Sequence, residues 1–207
     1  MRPDFRLYLI TEGSAGGRAG LPQAVGKALE AGVKAVQLRE KDMPVRGLLE
    51  LACALRELTR RWSARLFIND RADVALSCQA DGVHLGGQSM PPEAVRRMPG
   101  GRGLLIGVSA HSVEQAAAAQ RGGADFITFG PVFETPSKKA YGAPLGLQKL
   151  GEAARALDIP VFAIGGIKTW NIKSVMAAGA FGAALISGIF GADDIKGETY
   201  KFMRAFE

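Results

Sequence analysis

Short apolar runs recur along the whole chain and alternate with longer segments in which apolar residues repeat about every three to four positions. The runs are rich in β-branched and aliphatic residues, which predicts eight strands, at 6–11, 35–40, 65–70, 81–86, 104–109, 125–130, 160–166 and 182–187. The periodic segments between them predict helices, most clearly at 21–32, 45–62, 112–123, 146–157 and 171–180.

Eight strands that alternate with helices indicate parallel βαβ units. We therefore predict an α/β protein with the architecture of a compact (β/α)8 TIM barrel, in one domain over residues 1–207. The alternative is an open doubly wound sheet, which usually carries a Gly-x-Gly-x-x-Gly turn after its first strand. The segment after the first strand, TEGSAGGRAG, lacks that spacing.

Composition and charge narrow the class of protein. The chain has 26 Lys and Arg against 20 Asp and Glu, a net charge of +6, but the cations form no dense run. This pattern disfavours nucleic acid and favours an anionic small-molecule ligand. No apolar run reaches the ~20 residues of a membrane span, and the N-terminus lacks a signal-peptide core. We expect a cytoplasmic protein with Cys53 and Cys78 as buried free thiols, and the sequence leaves open whether it forms a homo-oligomer.

The barrel prediction says where catalytic groups belong, because they lie at the carboxyl ends of the strands and in the loops that follow. Asp81 and Asp125 each precede a predicted strand, so we assign them to capping or turn formation. His84 alternates with Val83 and Leu85 and should therefore point inward. We interpret it as a hydrogen-bonded core histidine, with a catalytic role as the alternative.

The second strand ends in a cluster of polar side chains. Strand alternation places Gln37, Arg39 and Lys41 on one face, directed at the barrel mouth. Two converging cations are costly to bury unless an anion meets them. The anion is either a bound ligand, which we favour, or a structural partner such as Glu40.

The third strand ends in Asn69 and Asp70. A carboxylate at a strand tip suits Mg²⁺, which prefers oxygen ligands and often binds substrate phosphates. The alternative is that Asp70 caps the next helix. The nearby cations favour a clamp for a metal ion and a diphosphate.

The seventh and eighth strands end in Gly-rich sequence. Gly165-Gly166 follows one and Ile186-Ser187-Gly188 the other. Loops after these two strands commonly bind phosphate in such barrels, through backbone N–H groups and a helix N-terminus. The alternative is two tight turns that need glycine for their backbone angles.

Two further segments carry candidate chemistry. The long stretch 131–146 has no helical or strand pattern and holds Thr135, Ser137 and Lys138, which suit a phosphate, although a solvated loop is the alternative. The fifth strand ends in Ser109, followed closely by His111. A histidine at a barrel mouth can act as acid or base, and a surface or capping role is equally compatible with the sequence.

Six segments taken together resemble the thiamine phosphate synthase family, whose close relatives are thiazole tautomerases. They are VQLREKD, FINDRADVAL, ADGVHLG, IGVSAHS, GPVFETPSK and PVFAIGGI, in the family's order and spacing. The resemblance covers nearly the whole chain and implies a (β/α)8 barrel. It also implies a transferase of thiamine biosynthesis that joins hydroxymethylpyrimidine diphosphate to thiazole phosphate and releases diphosphate with Mg²⁺ assistance.

The resemblance implies residue roles as well. The residues implied to bind the pyrimidine diphosphate are Gln37, Arg39, Lys41, Asn69 and Lys138, with Ser109 beside the reacting pyrimidine. Those implied to bind the thiazole phosphate are Thr135, Ser137, Gly166, Ile186 and Ser187. The four with an implied catalytic role are Arg39, Lys41, Ser109 and Lys138.

One position departs from the family pattern. Asp70 is the implied Mg²⁺ ligand, but Ser89 stands where the synthase pattern H-L-G-Q-x-D supplies a second carboxylate. The tautomerase branch does not use this metal site and relies on an acid–base histidine at a position like His111. A metal-independent tautomerase is therefore the alternative to the synthase, and a non-catalytic phosphate-binding regulatory barrel is a third hypothesis. We expect the synthase.

Overall fold

The structure is a computed structural model that describes residues 2–12, 17–135 and 143–206. Eight parallel strands form a closed barrel in these residues, as the hydrophobic pattern predicts. They are β1 (Leu7–Ile10), β2 (Ala35–Leu38), β3 (Arg65–Asn69), β4 (Gly82–Leu85), β5 (Leu105–Ala110), β6 (Phe126–Phe129), β7 (Val161–Ile164) and β8 (Gly182–Leu185).

Helices follow the strands and cover the outside of the barrel. Within the described ranges they are α1 (Gly17–Glu30), α2 (Val45–Arg61), α3 (Ala72–Ser77), α4 (Pro92–Arg97), α5 (Val113–Arg121), α6 (Gly146–Ala156), α7 (Ile172–Ala177), α8 (Ser187–Phe190) and α9 (Ile195–Arg204). One turn of 3₁₀-helix, Gly101–Gly103, precedes β5. All five predicted helices are present, with boundaries that differ by a few residues.

Strand pairing closes the barrel without a switch in strand order. Each strand pairs in parallel with the next along the chain, and β1 also pairs with β8, where Tyr8 lies in register with Ala184. This closure excludes the open doubly wound sheet, in which the first and last strands do not meet.

Aromatic rings fill the lower part of the barrel interior. Phe5, Tyr8, Phe67, Phe126 and Phe162 are buried there, and the centroids of neighbouring rings lie 5.2–6.3 Å apart. All of these pairs are tilted or edge-to-face, the arrangement that ring quadrupoles prefer. The alternate residues of each strand face outward, where they form a second core with the helices.

Glycines on neighbouring strands make room for these rings. A Cβ atom on Gly82 would lie 2.5 Å from ring carbons of Phe67, and one on Gly182 would lie 2.8 Å from Phe162. On Gly107 a Cβ would lie within 2.5 Å of both the Phe126 ring and His84 Nδ1. In the barrel interior, aromatic rings therefore pack against positions that have no side chain, which a narrow barrel requires.

The amino-terminal face of the barrel holds the two carboxylates that were assigned structural roles. Asp81 accepts a hydrogen bond from the Leu66 N–H and pairs with Arg56 of α2. Asp125 accepts from the Ile106 N–H and pairs with Arg96 of α4. Each carboxylate thus joins a neighbouring strand to an outer helix, away from the mouth of the barrel.

The cysteines follow the sequence prediction only in part. Both are free thiols, and Cys78 is buried, but Cys53 is exposed. In α2, Ala52 is buried, whereas Cys53 and Ala54 are exposed. A helix turns 100° per residue, so the buried face of α2 does not include Cys53. Among the described helices, none has the length and apolarity needed to cross a membrane.

We expect Gly107→Ala to destabilise the fold by about 1–3 kcal/mol, because the new methyl group enters the space of two buried rings that cannot swing aside. Gly103→Ala is the matched control, since a Cβ there meets nothing within 4 Å, and it should change stability by less than ~0.5 kcal/mol. Urea unfolding of the three proteins measures both effects. Equal stability of the two variants would contradict this account of the interior.

Candidate active site

A cavity of about 520 Å³ opens at the carboxyl ends of the strands. It brings together most of the residues that the sequence singled out: Gln37, Arg39, Lys41, Asn69, Asp70, His84, Ser109, His111, Thr135, Gly166, Ile186 and Ser187. Residues far apart in the sequence thus meet at one end of the barrel, where (β/α)8 enzymes carry their chemistry.

The floor of the cavity is a chain of neutral polar side chains. Gln37 Nε2 donates to the Tyr8 hydroxyl at 3.1 Å, and that oxygen lies 3.4 Å from His84 Nδ1. His84 Nε2 is 3.0 Å from Ser109 Oγ, which lies 3.2 Å from Thr128 Oγ1. All of these residues are buried except Ser109, which is half-buried and borders the cavity.

Burial sets the protonation of this floor. It lowers the pKa of His84 from 6.5 to about 3, an effect that the Asp70 carboxylate opposes and Arg39 reinforces. Burial also raises the pKa of Tyr8 well above its ordinary value of 10, with the Gln37 hydrogen bond opposing. His84 is therefore a neutral, hydrogen-bonded interior residue, as its position in β4 predicted.

Cations stand at the rim beside β2. Arg39 is three-quarters buried and pairs with Glu12, the second residue after β1, at 3.2 Å. Of the structural partners that the sequence left as the alternative, Glu40 is not the one used: it accepts a hydrogen bond from the Thr11 hydroxyl, and the acid beside Arg39 is Glu12. Lys41 is exposed and pairs with no acidic side chain in the part of the chain that the structure describes.

Asp70 and Ser89 lie side by side. The Ser89 hydroxyl donates to Asp70 Oδ1 and accepts from the Gly86 N–H, while Asn69 Nδ2 donates to Asp70 Oδ2 at 2.7 Å. Asp70 does not cap the next helix, since α3 begins after Arg71 with no side-chain cap. It adopts a positive φ of 59°, a conformation that aspartate tolerates better than most residues.

The turn after β7 is held by contacts on both sides. Gly165 and Gly166 have φ of 94° and 66°, and a Cβ on Gly166 would lie 2.6 Å from the Glu134 carbonyl. Buried Asn171 fixes the turn from below: its Oδ1 accepts from the Lys168 N–H and its Nδ2 donates to the Gly166 carbonyl. The glycines therefore serve the turn geometry as well as any ligand.

The end of β8 leads directly into α8. Ile186 precedes this helix, and Ser187 and Gly188 form its first turn at the cavity wall. The first turn of a helix leaves N–H groups without helical acceptors, so this wall presents donors suited to an anion.

The segment after β6 is anchored at both ends. Val132 and Phe133 N–H groups donate to the carbonyls of Ile164 and Gly165, and the Leu145 N–H donates to the Pro131 carbonyl. Thr135 lines the cavity. Ser137 and Lys138 lie outside the described residues, so their predicted roles stay predictions.

His111 stands at the mouth of the cavity. Its Nδ1 lies 2.5 Å from the Gly130 carbonyl, and its backbone N–H donates to the Gln115 side chain. The contact between Nδ1 and the Gly130 carbonyl fixes the orientation of the His111 imidazole and leaves its Nε2 atom for a further contact.

Several residues of the site were not identified from the sequence. Glu12, Glu134 and Lys168 line the cavity, Thr128 belongs to its floor and Asn171 supports its Gly-rich turn. Lys168 follows the Gly-Gly-Ile run closely, so its position could have been noted. The other four depend on packing between distant segments, for which the sequence carries no local signal.

Comparison with known proteins identifies relatives over nearly the whole chain. The family model described as thiamine monophosphate synthase matches residues 7–189. The thiamine-phosphate synthase of Roseiflexus castenholzii is 47% identical over 93% of this chain and 84% of its own. That of Halalkalibacterium halodurans is 41% identical over 99% of this chain and 96% of its own.

A solved structure agrees with these sequence matches. The thiamine phosphate pyrophosphorylase of Pyrococcus furiosus superposes with a TM-score of 0.88 at 37% identity, covering 97% of this chain and 95% of that one.

Burial of neutral His84 predicts acid sensitivity. The pKa of His84 is about 3 in the folded protein and near 6.5 when unfolded, so only the unfolded state gains this proton as the pH falls below about 6.5. The free energy of unfolding should therefore fall towards acid with a slope approaching ~1.4 kcal/mol per pH unit.

Urea unfolding between about pH 7 and about pH 5.5 measures this slope, because most carboxylates stay ionised in that range. The His84→Gln variant is the control, and its free energy of unfolding should fall less steeply towards acid, because it lacks this imidazole. A wild-type curve no steeper than that of the variant would contradict the assignment of a neutral buried imidazole.

Proposed function

This chain belongs to the thiamine monophosphate synthase family, and we propose that it joins hydroxymethylpyrimidine diphosphate to thiazole phosphate, giving thiamine phosphate and diphosphate. The observation that carries the proposal is one cavity with two different walls, each of which has groups suited to an anion. Cations and a carboxylate stand beside β2 and β3, and backbone donors stand at the ends of β7 and β8. Two phosphorylated substrates need two such walls.

The wall beside β2 suits the pyrimidine diphosphate. Arg39 and Lys41 bring positive charge, and Gln37 and Asn69 bring amide groups that can donate to oxygen or ring nitrogen atoms. We assign Lys138 to the same diphosphate on the family resemblance alone. These cations favour departure of the diphosphate, because they stabilise the charge that grows on its oxygens as the bond to the pyrimidine breaks.

The donor set beside Asp70 fits Mg²⁺. It offers one anionic oxygen and the Ser89 hydroxyl, both hard oxygen ligands, at an edge where a diphosphate can supply the rest. Asp70 would hold the ion, with Ser89 in place of a second carboxylate. When bound, Mg²⁺ would add positive charge beside the diphosphate.

The opposite wall suits the thiazole phosphate. Thr135, with the backbone of Gly166, Ile186 and Ser187, surrounds the space in which a phosphate can accept hydrogen bonds. We add Ser137 on the resemblance alone. Holding this substrate beside the other converts a meeting in solution into a reaction within one complex, which lowers the entropic barrier.

Bond breaking precedes bond formation in the reaction we propose. The carbon–oxygen bond between the pyrimidine methylene group and the diphosphate breaks first. The pyrimidine ring would sit above the neutral floor, next to Ser109. The thiazole nitrogen then donates its electron pair to the pyrimidine methylene cation. A neutral His84 below the ring adds no positive charge to oppose that cation.

Incubation of the protein with both substrates and Mg²⁺, followed by an assay for thiamine phosphate, tests the proposal. A tautomerase would instead isomerise a thiazole phosphate carboxylate with chelator present, and His111→Ala would lower that rate by roughly 10²–10⁴-fold, as expected for a lost general base. Binding of the ligands without either reaction would indicate a regulatory barrel. Either result would contradict the synthase proposal.

We expect Asp70→Asn to lower synthase turnover by about 10²–10³-fold, because the substitution removes the anionic oxygen that we assign to Mg²⁺. Asp73→Asn is the matched control: Asp73 pairs with Arg71 on the surface, and the change should leave turnover nearly unchanged. Steady-state rates at saturating substrate measure both. Equal activity of the Asp70→Asn variant and wild type would contradict the assignment of Asp70 as the Mg²⁺ ligand.

We expect Ser89→Asp to tighten Mg²⁺ by about tenfold or more, since a second anionic oxygen raises affinity for a hard cation. Without metal, the new carboxylate repels Asp70, so Mg²⁺ should raise the melting temperature of this variant more than that of wild type. Calorimetric titration with Mg²⁺ and thermal melting with and without it are the measurements. Unchanged affinity would contradict the placement of the ion beside Ser89.

A further inference from the structure

Besides the Gln37 amide, the hydrogen-bonded floor contains four protons whose destinations can be worked out one by one. They are the hydroxyl protons of Tyr8, Ser109 and Thr128 and the single N–H proton of a neutral His84. Three of the four residues are buried, where a donor without an acceptor costs free energy. The arrangement that satisfies every buried donor is therefore strongly preferred.

The tyrosine decides the first step. Gln37 Nε2 can only donate, so the Tyr8 oxygen accepts from it at 3.1 Å. The proton of Tyr8 then needs an acceptor, and within the described residues His84 Nδ1, at 3.4 Å, is the one in reach. With Gln37 Nε2 facing the phenol, a proton on His84 Nδ1 would leave the buried phenol proton without an acceptor among the described residues. His84 therefore carries its proton on Nε2.

The remaining protons follow from that tautomer. His84 Nε2–H faces Ser109 Oγ at 3.0 Å and donates to it. The buried Thr128 hydroxyl lies 3.2 Å from the same oxygen and donates to it as well, because His84 Nε2 can no longer accept. Ser109 Oγ then accepts two hydrogen bonds, and its own proton turns towards the cavity.

We infer that Tyr8 and His84 are positioning residues that hold Ser109 as a hydrogen-bond donor towards a bound ring, for an acceptor atom that carries no hydrogen. A pyrimidine ring nitrogen has this chemistry. The inference rests on the proposed function for the identity of the ring, but the tautomer and the direction of the hydrogen bonds do not depend on it. A ring that presented a donor at the same point would face the Ser109 proton and be disfavoured.

Nitrogen NMR of protein labelled with ¹⁵N-histidine tests the tautomer directly. The chain has two histidines, His84 and His111, and the spectrum of His111→Ala assigns their signals. Wild type should show His84 protonated at Nε2 and unprotonated at Nδ1. A proton on Nδ1 would overturn the inference, and this readout needs neither substrate nor turnover.

Binding measurements test the consequence for the ligand. In the Tyr8→Phe variant, no phenol proton faces His84 Nδ1, so His84 should no longer be held in one tautomer. The affinity for hydroxymethylpyrimidine diphosphate should then fall about tenfold, the size expected when one buried hydrogen bond is lost. The affinity for inorganic diphosphate, which has no ring, should stay unchanged. Tyr200→Phe, at an exposed position on α9, is the matched control and should behave as wild type in both titrations.

A double-mutant cycle shows whether Tyr8 acts through Ser109. Ser109→Ala should weaken the pyrimidine ligand by itself, and adding Tyr8→Phe to that variant should cause little further loss. Fully additive losses, or equal weakening of inorganic diphosphate, would overturn the inference by showing a general effect on packing. If wild type binds no pyrimidine diphosphate, the proposed function fails, while the NMR result still decides the tautomer.

Discussion

The packing of aromatic rings inside the barrel is the constraint on which both the fold and the site depend. Eight short strands enclose a space that a few side chains fill completely, and Phe5, Tyr8, Phe67, Phe126 and Phe162 occupy its lower part. Rings of this size fit only because neighbouring strands carry glycine at the same level. Polar groups are therefore restricted to the level above the rings. The single hydroxyl among the rings, on Tyr8, faces that level and joins the apolar interior to the polar floor.

The same constraint separates neutral groups from charged ones. At the floor, burial favours the uncharged imidazole of His84 and the protonated phenol of Tyr8. Charges occur one layer higher, where Arg39, Lys41 and Asp70 reach solvent. A ligand that spans the two levels would place an aromatic or apolar part on neutral donors and its anionic part among the cations. This division matches a pyrimidine that carries a diphosphate.

The alternation of strands with helices was sufficient to predict the barrel, and the alternation of side chains along each strand predicted which of them face inward. A period of two residues fixes which side chains of β2 and β4 face inward, so Gln37 and His84 could be placed from the sequence. The hydrogen bonds that these two residues make could not be placed, because the floor joins side chains of β1, β2, β4, β5 and β6. The stagger between strands decides which of those side chains reach one another. Thr128 was missed for this reason. The exposure of Cys53 and the pairing of Arg39 with Glu12 likewise depend on the orientation of a helix and on the path of a loop after β1.

Two of the charged groups of the rim, Arg39 and Asp70, have partners within the protein. Arg39 pairs with Glu12, and both oxygens of Asp70 accept hydrogen bonds, from Ser89 and Asn69. Binding of an anion is therefore an exchange of partners, in which the ligand competes with Glu12 for Arg39 and a cation competes with Ser89 for Asp70. Such an exchange gains less than pairing of free charges, because each existing contact must be given up. It also keeps these rim charges partly neutralised by the protein, above a floor whose hydrogen bonds are satisfied within the protein.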